Sequence, residues 1–225
     1  MNNSALQAIE DQLVDVQAGS VTLYGKLTVP LEACGVVLFA HGSGSGRHSP
    51  RNRYVARLLN ESKLGTLLID LLTQEEEEID LRTTWLRFNI RLLAERLVGA
   101  TDWLAQYPET KKLRIGYFGA STGAAASLVA ATVRTDLVAA IVSRGGRPDL
   151  AGTALTRVRA PTLLIVGGND LQVIELNREA LKQLNCEKQL VRVPGATHLF
   201  EEPGALDEVA RLARQWFHNH LIARG

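Results

Sequence analysis

The feature of this sequence that most constrains its fold is the alternation of short apolar, β-branched runs with longer segments of helical periodicity. Continuous apolar runs are typical of strands covered on both faces, and parallel strands need crossover helices between them. The sequence therefore predicts an α/β fold with a mostly parallel central sheet and helices on both faces. The predicted central strands are residues 35–40, 65–70, 113–119, 137–143, 161–167 and 188–193.

An antiparallel hairpin is predicted before the first central strand. Residues 21–30 alternate more between polar and apolar side chains, and we expect them to pair with residues 14–17 around a turn at Gly19 and Ser20. Pro203 is predicted to open the last helix, where its missing N–H costs nothing. The predicted helices are residues 52–61, 84–106, 121–133, 171–184 and 203–221, and the apolar face of the second comprises Trp85, Phe88, Leu92, Leu93, Leu97, Ala100 and Leu104.

The composition of the chain excludes several classes of protein. The 25 Lys and Arg residues nearly balance 24 Asp and Glu residues, which argues against a nucleic-acid partner, and 46% hydrophobic residues argue against disorder. Cys34 and Cys186 are too few for a disulfide framework. With neither a secretory signal nor an apolar run of about 20 residues, we expect a cytoplasmic protein without a membrane partner.

The chain is predicted to form one domain over residues 1–225, with residues 1–13 as a peripheral N-terminal segment. The sequence contains no internal repeat and no linker rich in Pro and Ser. Four consecutive glutamates at residues 75–78 are predicted to form a solvated loop that leads into a helix, because negative charge favours a helix N-terminus.

The strongest chemical signal is a predicted strand-to-helix turn. Residues 119–123 read Gly-Ala-Ser-Thr-Gly, the G-x-S-x-G pattern of a nucleophile elbow. A serine on such a sharp turn needs small residues on both sides so that the helix can approach the strand. The pattern predicts Ser121 as a nucleophile at the carboxyl edge of the sheet, next to a helix N-terminus that favours developing negative charge.

A base and an acid follow Ser121 in the order that this elbow requires. His198 is the predicted general base, because it lies in a loop after a predicted strand, whereas the two later histidines lie near the end of the last helix. Asp170 follows the fifth central strand and is predicted to accept a hydrogen bond from the imidazole, which fixes its tautomer. The alternatives are that Asp170 only caps a helix, or that Asp149 is the acid.

Residues 41–46, His-Gly-Ser-Gly-Ser-Gly, follow the first central strand, where this type of site draws one oxyanion donor. The backbone N–H groups of Ser43 and Thr122 are the predicted oxyanion hole. The loop lacks the glycine spacing of phosphate-binding loops.

Two groups of arginines are predicted near the same edge of the sheet. Arg144 and Arg147 are suited to clamp a substrate carboxylate, and solvated surface charge is the alternative. The other group, after the predicted oxyanion loop, comprises Arg47, Arg51 and Arg53.

The ordered motifs resemble the α/β-hydrolase superfamily, and in particular its small dienelactone-hydrolase-like members. The resemblance extends from Val14 to the C-terminus. It implies an α/β-hydrolase fold, and the short connection between Ser143 and Pro161 leaves no room for a cap domain. Dienelactone hydrolases use a cysteine nucleophile, so Ser121 favours ordinary ester chemistry. The motifs are residues 41–46, 119–123, 167–170 and 195–198.

The predicted function is hydrolysis of a small or polar carboxylic ester, or a lactone, through an acyl-enzyme on Ser121. No metal and no organic cofactor is predicted, and the sequence carries no signal for an oligomeric state. Two alternatives are a thioesterase or acyltransferase that uses the same triad, and a non-catalytic ligand-binding protein of the same fold.

Overall fold

A computed structural model describes residues 11–42 and 44–222 of the 225-residue chain. An eight-stranded sheet has the order β1-β2-β4-β3-β5-β6-β7-β8. The β1–β2 and β2–β4 pairs are antiparallel, and the other pairs are parallel. The strands are β1 Asp11–Ala18, β2 Val21–Thr28, β3 Gly35–Ala40, β4 Leu64–Ile69, β5 Ile115–Ala120, β6 Val138–Arg144, β7 Thr162–Gly167 and β8 Lys188–Val193.

The predicted α/β-hydrolase fold is confirmed, and the central strands match their predicted bounds to within two residues. The predicted peripheral segment, residues 1–13, lies mostly outside the described residues, and its residues 11–13 belong to β1. The helices are α1 Pro50–Asn60, α2 Gln74–Thr83, α3 Ile90–Gln106, α4 Thr122–Ala131, α5 Leu171–Gln183 and α6 Ala205–Leu221.

Two apolar cores sandwich the sheet. On one face, α1 and α6 cover a core in which the rings of Phe39 and Phe118 lie 4.8 Å apart. On the other face, α3 and α4 cover a core that contains Tyr117. Its buried hydroxyl hydrogen-bonds to Thr101 Oγ1 at 2.5 Å, and burial raises the pKa of Tyr117 well above its usual range. The strands are therefore covered on both faces, as their continuous apolar sequences predict.

The four glutamates at residues 75–78 form the beginning of α2, whereas the sequence analysis expected a loop there. Thr73 caps the helix: its Oγ1 accepts from Glu76 N–H at 3.2 Å, and Glu76 Oε2 accepts from Thr73 N–H at 2.9 Å. This reciprocal capping box satisfies two free backbone donors and places the glutamates where the helix dipole stabilises them. The loop prediction overlooked this local pairing.

The predicted helix over residues 84–106 is wrong in its first turn. Thr84 ends α2 in a left-handed conformation with a φ of 56°, a short 3-10 turn follows, and Asn89 caps α3. Trp85 and Phe88, predicted on the buried face, are 66% and 55% exposed. The buried face of α3 begins at Leu93, because capping by Asn89 outweighs the helical spacing of the earlier apolar residues.

Two further expectations concern the first residue of α6 and the connection where a cap domain would be inserted. Gly204, with a φ of 78°, is the N-cap of α6, so Pro203 lies before the helix rather than in its first turn as predicted. Between β6 and β7 the chain forms a 3-10 helix, Pro148–Arg157, that kinks at Gly152. This connection contains no cap domain.

Candidate active site

Ser121 occupies the turn between β5 and α4. Its backbone has a φ of 50° and a ψ of −120°, a conformation that residues other than glycine rarely adopt. Two backbone hydrogen bonds hold it: Ser121 N–H donates to the Arg144 carbonyl at 3.4 Å, and Arg147 N–H donates to the Ser121 carbonyl at 3.0 Å. Strain of this kind persists where the surroundings enforce it, and it is concentrated at functional sites.

Two glycines make this turn possible. A Cβ on Gly119 would lie 2.5 Å from Ala124 Cα, and a Cβ on Gly123 would lie 2.2 Å from the Ala40 carbonyl oxygen. Neither distance is available to a real side chain. The helix can therefore approach β3 and β5 only with glycine at both positions, which is the steric reason that the sequence pattern suggests.

Asp170 and His198 meet from two different loops. His198 Nδ1–H donates to Asp170 Oδ2 at 2.7 Å, which leaves Nε2 as the nitrogen free to accept a proton. Asp170 stands at the N-cap position of α5, but its side chain makes no capping hydrogen bond. Ser121 Oγ forms no hydrogen bond with any described residue, so the contact between serine and imidazole stays a prediction. Such contacts often tighten only when substrate binds.

Backbone hydrogen bonds between the two loops explain why these residues meet. Asn169 N–H donates to the Ala196 carbonyl at 2.9 Å, and Gly168 N–H donates to the Val193 carbonyl at 2.8 Å. A Cβ on Gly167 would lie only 2.5 Å from the Thr197 carbonyl oxygen. The glycines after β7 therefore let the histidine loop lie directly on the aspartate loop.

Asp149, the alternative acid, is already engaged. Both of its carboxylate oxygens accept hydrogen bonds from Arg147, at 2.9 and 2.8 Å. The same ion pair engages Nε and Nη2 of Arg147, and the clamp of Arg144 with Arg147 stays a prediction. The hydrogen bond of the His198 imidazole goes to Asp170 instead.

Arg144 differs from the other arginines of this region. It is the last residue of β6 rather than a loop residue, and its side chain is buried. Burial, with the nearby charge of Arg51 as a second cause, lowers the pKa of Arg144 to about 10, so it is still protonated at neutral pH. Of the loop arginines named from the sequence, Arg47 is paired with Asp70, and Arg53 is exposed.

His41 anchors the predicted oxyanion loop, a role that the sequence analysis did not identify. Leu71 N–H donates to His41 Nε2 at 2.9 Å, so Nδ1 carries the proton and donates to the Gly42 carbonyl at 2.9 Å. Burial lowers the pKa of His41, although the Gly42 carbonyl and nearby carboxylates act in the opposite direction. A neutral imidazole therefore ties this loop to the end of β4.

The two predicted oxyanion donors have different outcomes. Ser43 lies outside the described residues. Thr122 is the first residue of α4, where backbone N–H groups have no partner within the helix. Among the described residues its buried Oγ1 also has no hydrogen-bond partner, and Thr122 lines a cavity of about 100 Å³ between the oxyanion loop and α2, together with His41, Asp70 and Arg87.

Neither a metal centre nor a membrane span is found in the described part of the chain. Residues 11–42 and 44–222 contain no group of three or more His, Cys, Asp and Glu side chains placed to hold a metal ion. No helix in the same ranges is long and apolar enough to cross a bilayer.

The sheet order and the site at its carboxyl edge define an α/β hydrolase. A crystal structure described as dienelactone hydrolase from Anabaena variabilis has a TM-score of 0.93 and 64% identity, covering 94% of this chain and 98% of that chain. An α/β serine hydrolase without a lid from Xanthomonas campestris has a TM-score of 0.75 and 18% identity, covering 96% and 97% of the two chains, and shows the fold alone.

The sequence model of the dienelactone hydrolase family matches residues 70–220. The chain therefore belongs to the dienelactone hydrolase family. A Mycobacterium tuberculosis protein named "Putative phosphoribosyl transferase" is 57% identical over 217 residues, which are 96% of this chain and 48% of that protein. The chain thus spans about half the length of the curated relatives that it matches.

Proposed function

We propose that this chain is a serine hydrolase of the carboxylesterase type that cleaves small or polar esters, or lactones. The observation that carries this proposal is the hydrogen bond from His198 to Asp170 at the sheet edge that holds Ser121 in its strained turn. An oriented imidazole and a serine on a nucleophile elbow are the groups that acyl transfer needs.

In the proposed reaction, Ser121 Oγ attacks the ester carbonyl while His198 Nε2 takes the hydroxyl proton. Asp170 stabilises the imidazolium that forms. The backbone N–H groups of Ser43 and Thr122 stabilise the oxyanion, and loss of one such donor typically lowers kcat about 10²- to 10³-fold. His198 then gives its proton to the leaving alcohol. Water, activated by the same imidazole, releases the acid from Ser121.

The size of the cavity next to Thr122 favours a small acyl group. Its volume of about 100 Å³ holds a few heavy atoms, and its wall includes the charged groups of Asp70 and Arg87. A long apolar chain would leave these charges without water. Small or polar esters are therefore the proposed substrate class.

The name of the Mycobacterium relatives does not change this assignment. That name belongs to proteins of which this chain spans about half, and the match to the hydrolase family falls within this half. We assign hydrolysis to this chain and leave the name putative phosphoribosyl transferase with the longer proteins. A cytoplasmic location stays a prediction from the sequence.

Labelling with a fluorophosphonate tests the nucleophile. We expect stoichiometric modification of Ser121, complete loss of labelling in Ser121→Ala, and normal labelling in Ser127→Ala, a matched serine whose Oγ donates to the Gly123 carbonyl inside α4. Peptide mass spectrometry locates the label. An unreactive Ser121 in the folded protein would support the non-catalytic ligand-binding alternative.

A substrate panel separates the remaining enzymatic alternatives. Acetyl and butyryl esters, lactones and thioesters are compared by kcat/KM, with and without an added alcohol. We expect the highest values for small esters and release of free acid. Preference for thioesters, or partition of the acyl group to the alcohol instead of water, would assign the triad to a thioesterase or an acyltransferase.

A further inference from the structure

Asn177 is a fully buried amide on α5 that joins this helix to the connection after β6. Its side-chain Nδ2 donates to the Val173 carbonyl at 2.8 Å, one turn earlier in the helix, and to the Gly146 carbonyl at 3.0 Å. Among the described residues its buried Oδ1 has no hydrogen-bond partner. A leucine would fill a similar volume without leaving a buried acceptor unpaired, which is costly, so the two donated bonds explain the amide.

The Gly146 carbonyl belongs to a peptide group that also contacts the nucleophile turn. A planar trans peptide points its C=O and its N–H in opposite directions, so Asn177 holds one end of the group between Gly146 and Arg147. At the other end, Arg147 N–H donates to the Ser121 carbonyl at 3.0 Å. The buried amide on α5 therefore reaches the nucleophile turn through a single peptide group.

A second peptide group extends this chain of hydrogen bonds to the predicted oxyanion donor. The Ser121 carbonyl and the Thr122 N–H belong to one planar group, so fixing the carbonyl also fixes the direction of the N–H. Because hydrogen bonds in a chain polarise one another, each donated bond also strengthens the next donor. The order is the Asn177 amide, the peptide of residues 146–147, the peptide of residues 121–122, and then the substrate oxyanion.

Close packing leaves little freedom around the first peptide group. A Cβ on Gly146 would lie 2.0 Å from Ser143 Oγ and 2.6 Å from Ala124 Cβ, so only glycine lets the connection after β6 lie this close to α4. The helix that carries Asn177 also carries the predicted acid, because Asp170 is the N-cap of α5. One helix thus supports both the acid and the chain of hydrogen bonds.

We propose that Asn177 is a positioning residue for the oxyanion donor of Thr122, acting through the peptide groups of residues 146–147 and 121–122. This inference rests on the proposed ester hydrolysis at Ser121 and deepens it. The side chain acts through the backbone rather than on the substrate. It orients and polarises an N–H group that serves the oxyanion of the transition state, so its loss should lower kcat and leave KM unchanged.

Asn177→Leu tests this role, because it removes the donor and keeps a side chain of similar volume. For para-nitrophenyl acetate we expect kcat to fall about 10-fold at constant KM, less than the loss of about 10²- to 10³-fold that follows removal of an oxyanion donor itself. A trifluoromethyl ketone forms a tetrahedral oxyanion adduct on the nucleophile. Its affinity should fall by the same factor as kcat, since it resembles the transition state.

Asn60→Leu is the matched control. Asn60 is also a buried amide that donates to a backbone carbonyl, that of Leu64 at 2.9 Å, but it lies at the end of α1, where β4 begins. We expect Asn60→Leu to lower the Tm, as Asn177→Leu does, and to leave kcat and the ketone affinity unchanged. A kcat that falls equally in both variants, or in neither, would overturn the positioning role and leave Asn177 a structural residue.

A second variant covers the case in which Asn177→Leu unfolds at the assay temperature. In Asn177→Thr the hydroxyl donates to the Val173 carbonyl within the helix but is one atom too short for the Gly146 carbonyl. The same fall in kcat at constant KM is expected. Wild-type kcat in a folded Asn177→Thr would overturn the proposal.

Amide-proton NMR of the folded protein separates failure of this inference from failure of the proposed function, because it needs no turnover. We expect the amide protons of Arg147 and Thr122 to shift upfield in the Asn177 variants and not in Asn60→Leu. If the wild type hydrolyses no ester but the shifts are seen, the chain of hydrogen bonds stands and the esterase proposal fails. If esters are hydrolysed without these shifts, the positioning role fails alone, and absence of both overturns both.

Discussion

The two sides of the nucleophile turn treat charge in opposite ways. On the oxyanion side, Asp70 is bound by Arg47, and Asp80 is bound by both the backbone N–H and the guanidinium of Arg87. On the histidine side, Arg144 is buried and lacks a carboxylate among the described residues. Both sides are rich in charge, but only the oxyanion side pairs each of its arginines named here with a carboxylate.

This difference teaches that the pairing of charges, not their number, indicates what a site can bind. Asp70, just after β4, binds Arg47, and Asp80 of α2 binds Arg87 of the following 3-10 turn. The same sequence signal, arginine near a carboxyl edge, therefore accompanies a paired guanidinium at Arg47 and, among the described residues, one without a carboxylate partner at Arg144. The predictions below test this difference between the oxyanion side and the histidine side, starting with the largest expected effect.

Asp170→Asn tests whether the carboxylate on the histidine side is catalytic. Without the carboxylate, the imidazole loses the acceptor that fixes its tautomer, and we expect kcat for a neutral ester to fall about 10³- to 10⁴-fold. Asp149→Asn is the matched control, because its carboxylate binds Arg147 instead of His198. Equal losses in the two variants, with both proteins folded by circular dichroism, would contradict the assignment.

Gly123→Ala tests the steric basis of the turn that separates the two sides. The added Cβ would lie 2.2 Å from the Ala40 carbonyl oxygen, so β3 and α4 must move apart. We expect the free energy of unfolding in urea to fall by about 3 kcal/mol, with loss of esterase activity. Gly152→Ala provides the contrast: its φ of 54° is strained for alanine, but its Cβ meets nothing within 4 Å, so a loss of only about 1 kcal/mol is expected.

Asp80→Asn tests the ion pair between Asp80 and Arg87 on the oxyanion side. Burial alone would raise the pKa of Asp80, but the hydrogen bonds and charge of Arg87 outweigh it and hold this pKa below its usual range. A folded-state pKa below the unfolded value stabilises the protein above about pH 4, and this contribution is lost as the pH falls through the lower folded value.

We therefore expect Asp80→Asn to lower the free energy of unfolding by about 1–3 kcal/mol at neutral pH, with a smaller difference from the wild type at acidic pH. Urea titrations at several pH values measure this. A difference that is constant down to the lowest pH would contradict the role of the carboxylate.

The smallest effect on stability is expected from substitutions of the residues that cap α2 and α1, Thr73 and Ser49. Thr73→Ala removes one half of the capping box of α2 and should cost about 1 kcal/mol. Ser49→Ala removes the cap of α1, whose hydrogen bond to Asn52 N–H is long at 3.4 Å, so we expect a smaller loss. Thermal unfolding of both variants gives the comparison. A larger loss for Ser49→Ala would show that the α1 cap is the stronger one.

The fold and the candidate triad could be predicted because their signals are local. Continuous apolar runs identify central strands, and the small residues around Ser121 follow from the close approach of α4 to β5. The spacing of Asp170 and His198 suffices because the carboxyl ends of parallel neighbouring strands meet at one edge of the sheet. The hydrogen bond between them agrees with that expectation.

The features that sequence reasoning missed depend on partners that are distant in the chain. The bond between Leu71 and His41 joins residues 30 apart, and the contact between Arg144 and Asn52 joins residues 92 apart. The burial of Arg144 and its lack of a carboxylate partner among the described residues are properties of the assembled core. The helix α2 was missed for the opposite reason, because a local cap at Thr73 was overlooked.

The separation of the catalytic groups along the chain also has a consequence for refolding. The turn of Ser121 rests on β3 through Gly123, whereas the histidine loop rests on the end of β7 through Gly167. Both supports require parallel strands that are remote in sequence, and such pairings form slowly. During refolding, the helical circular dichroism signal should therefore recover before esterase activity does. The recovery of activity would then measure how fast the sheet is completed.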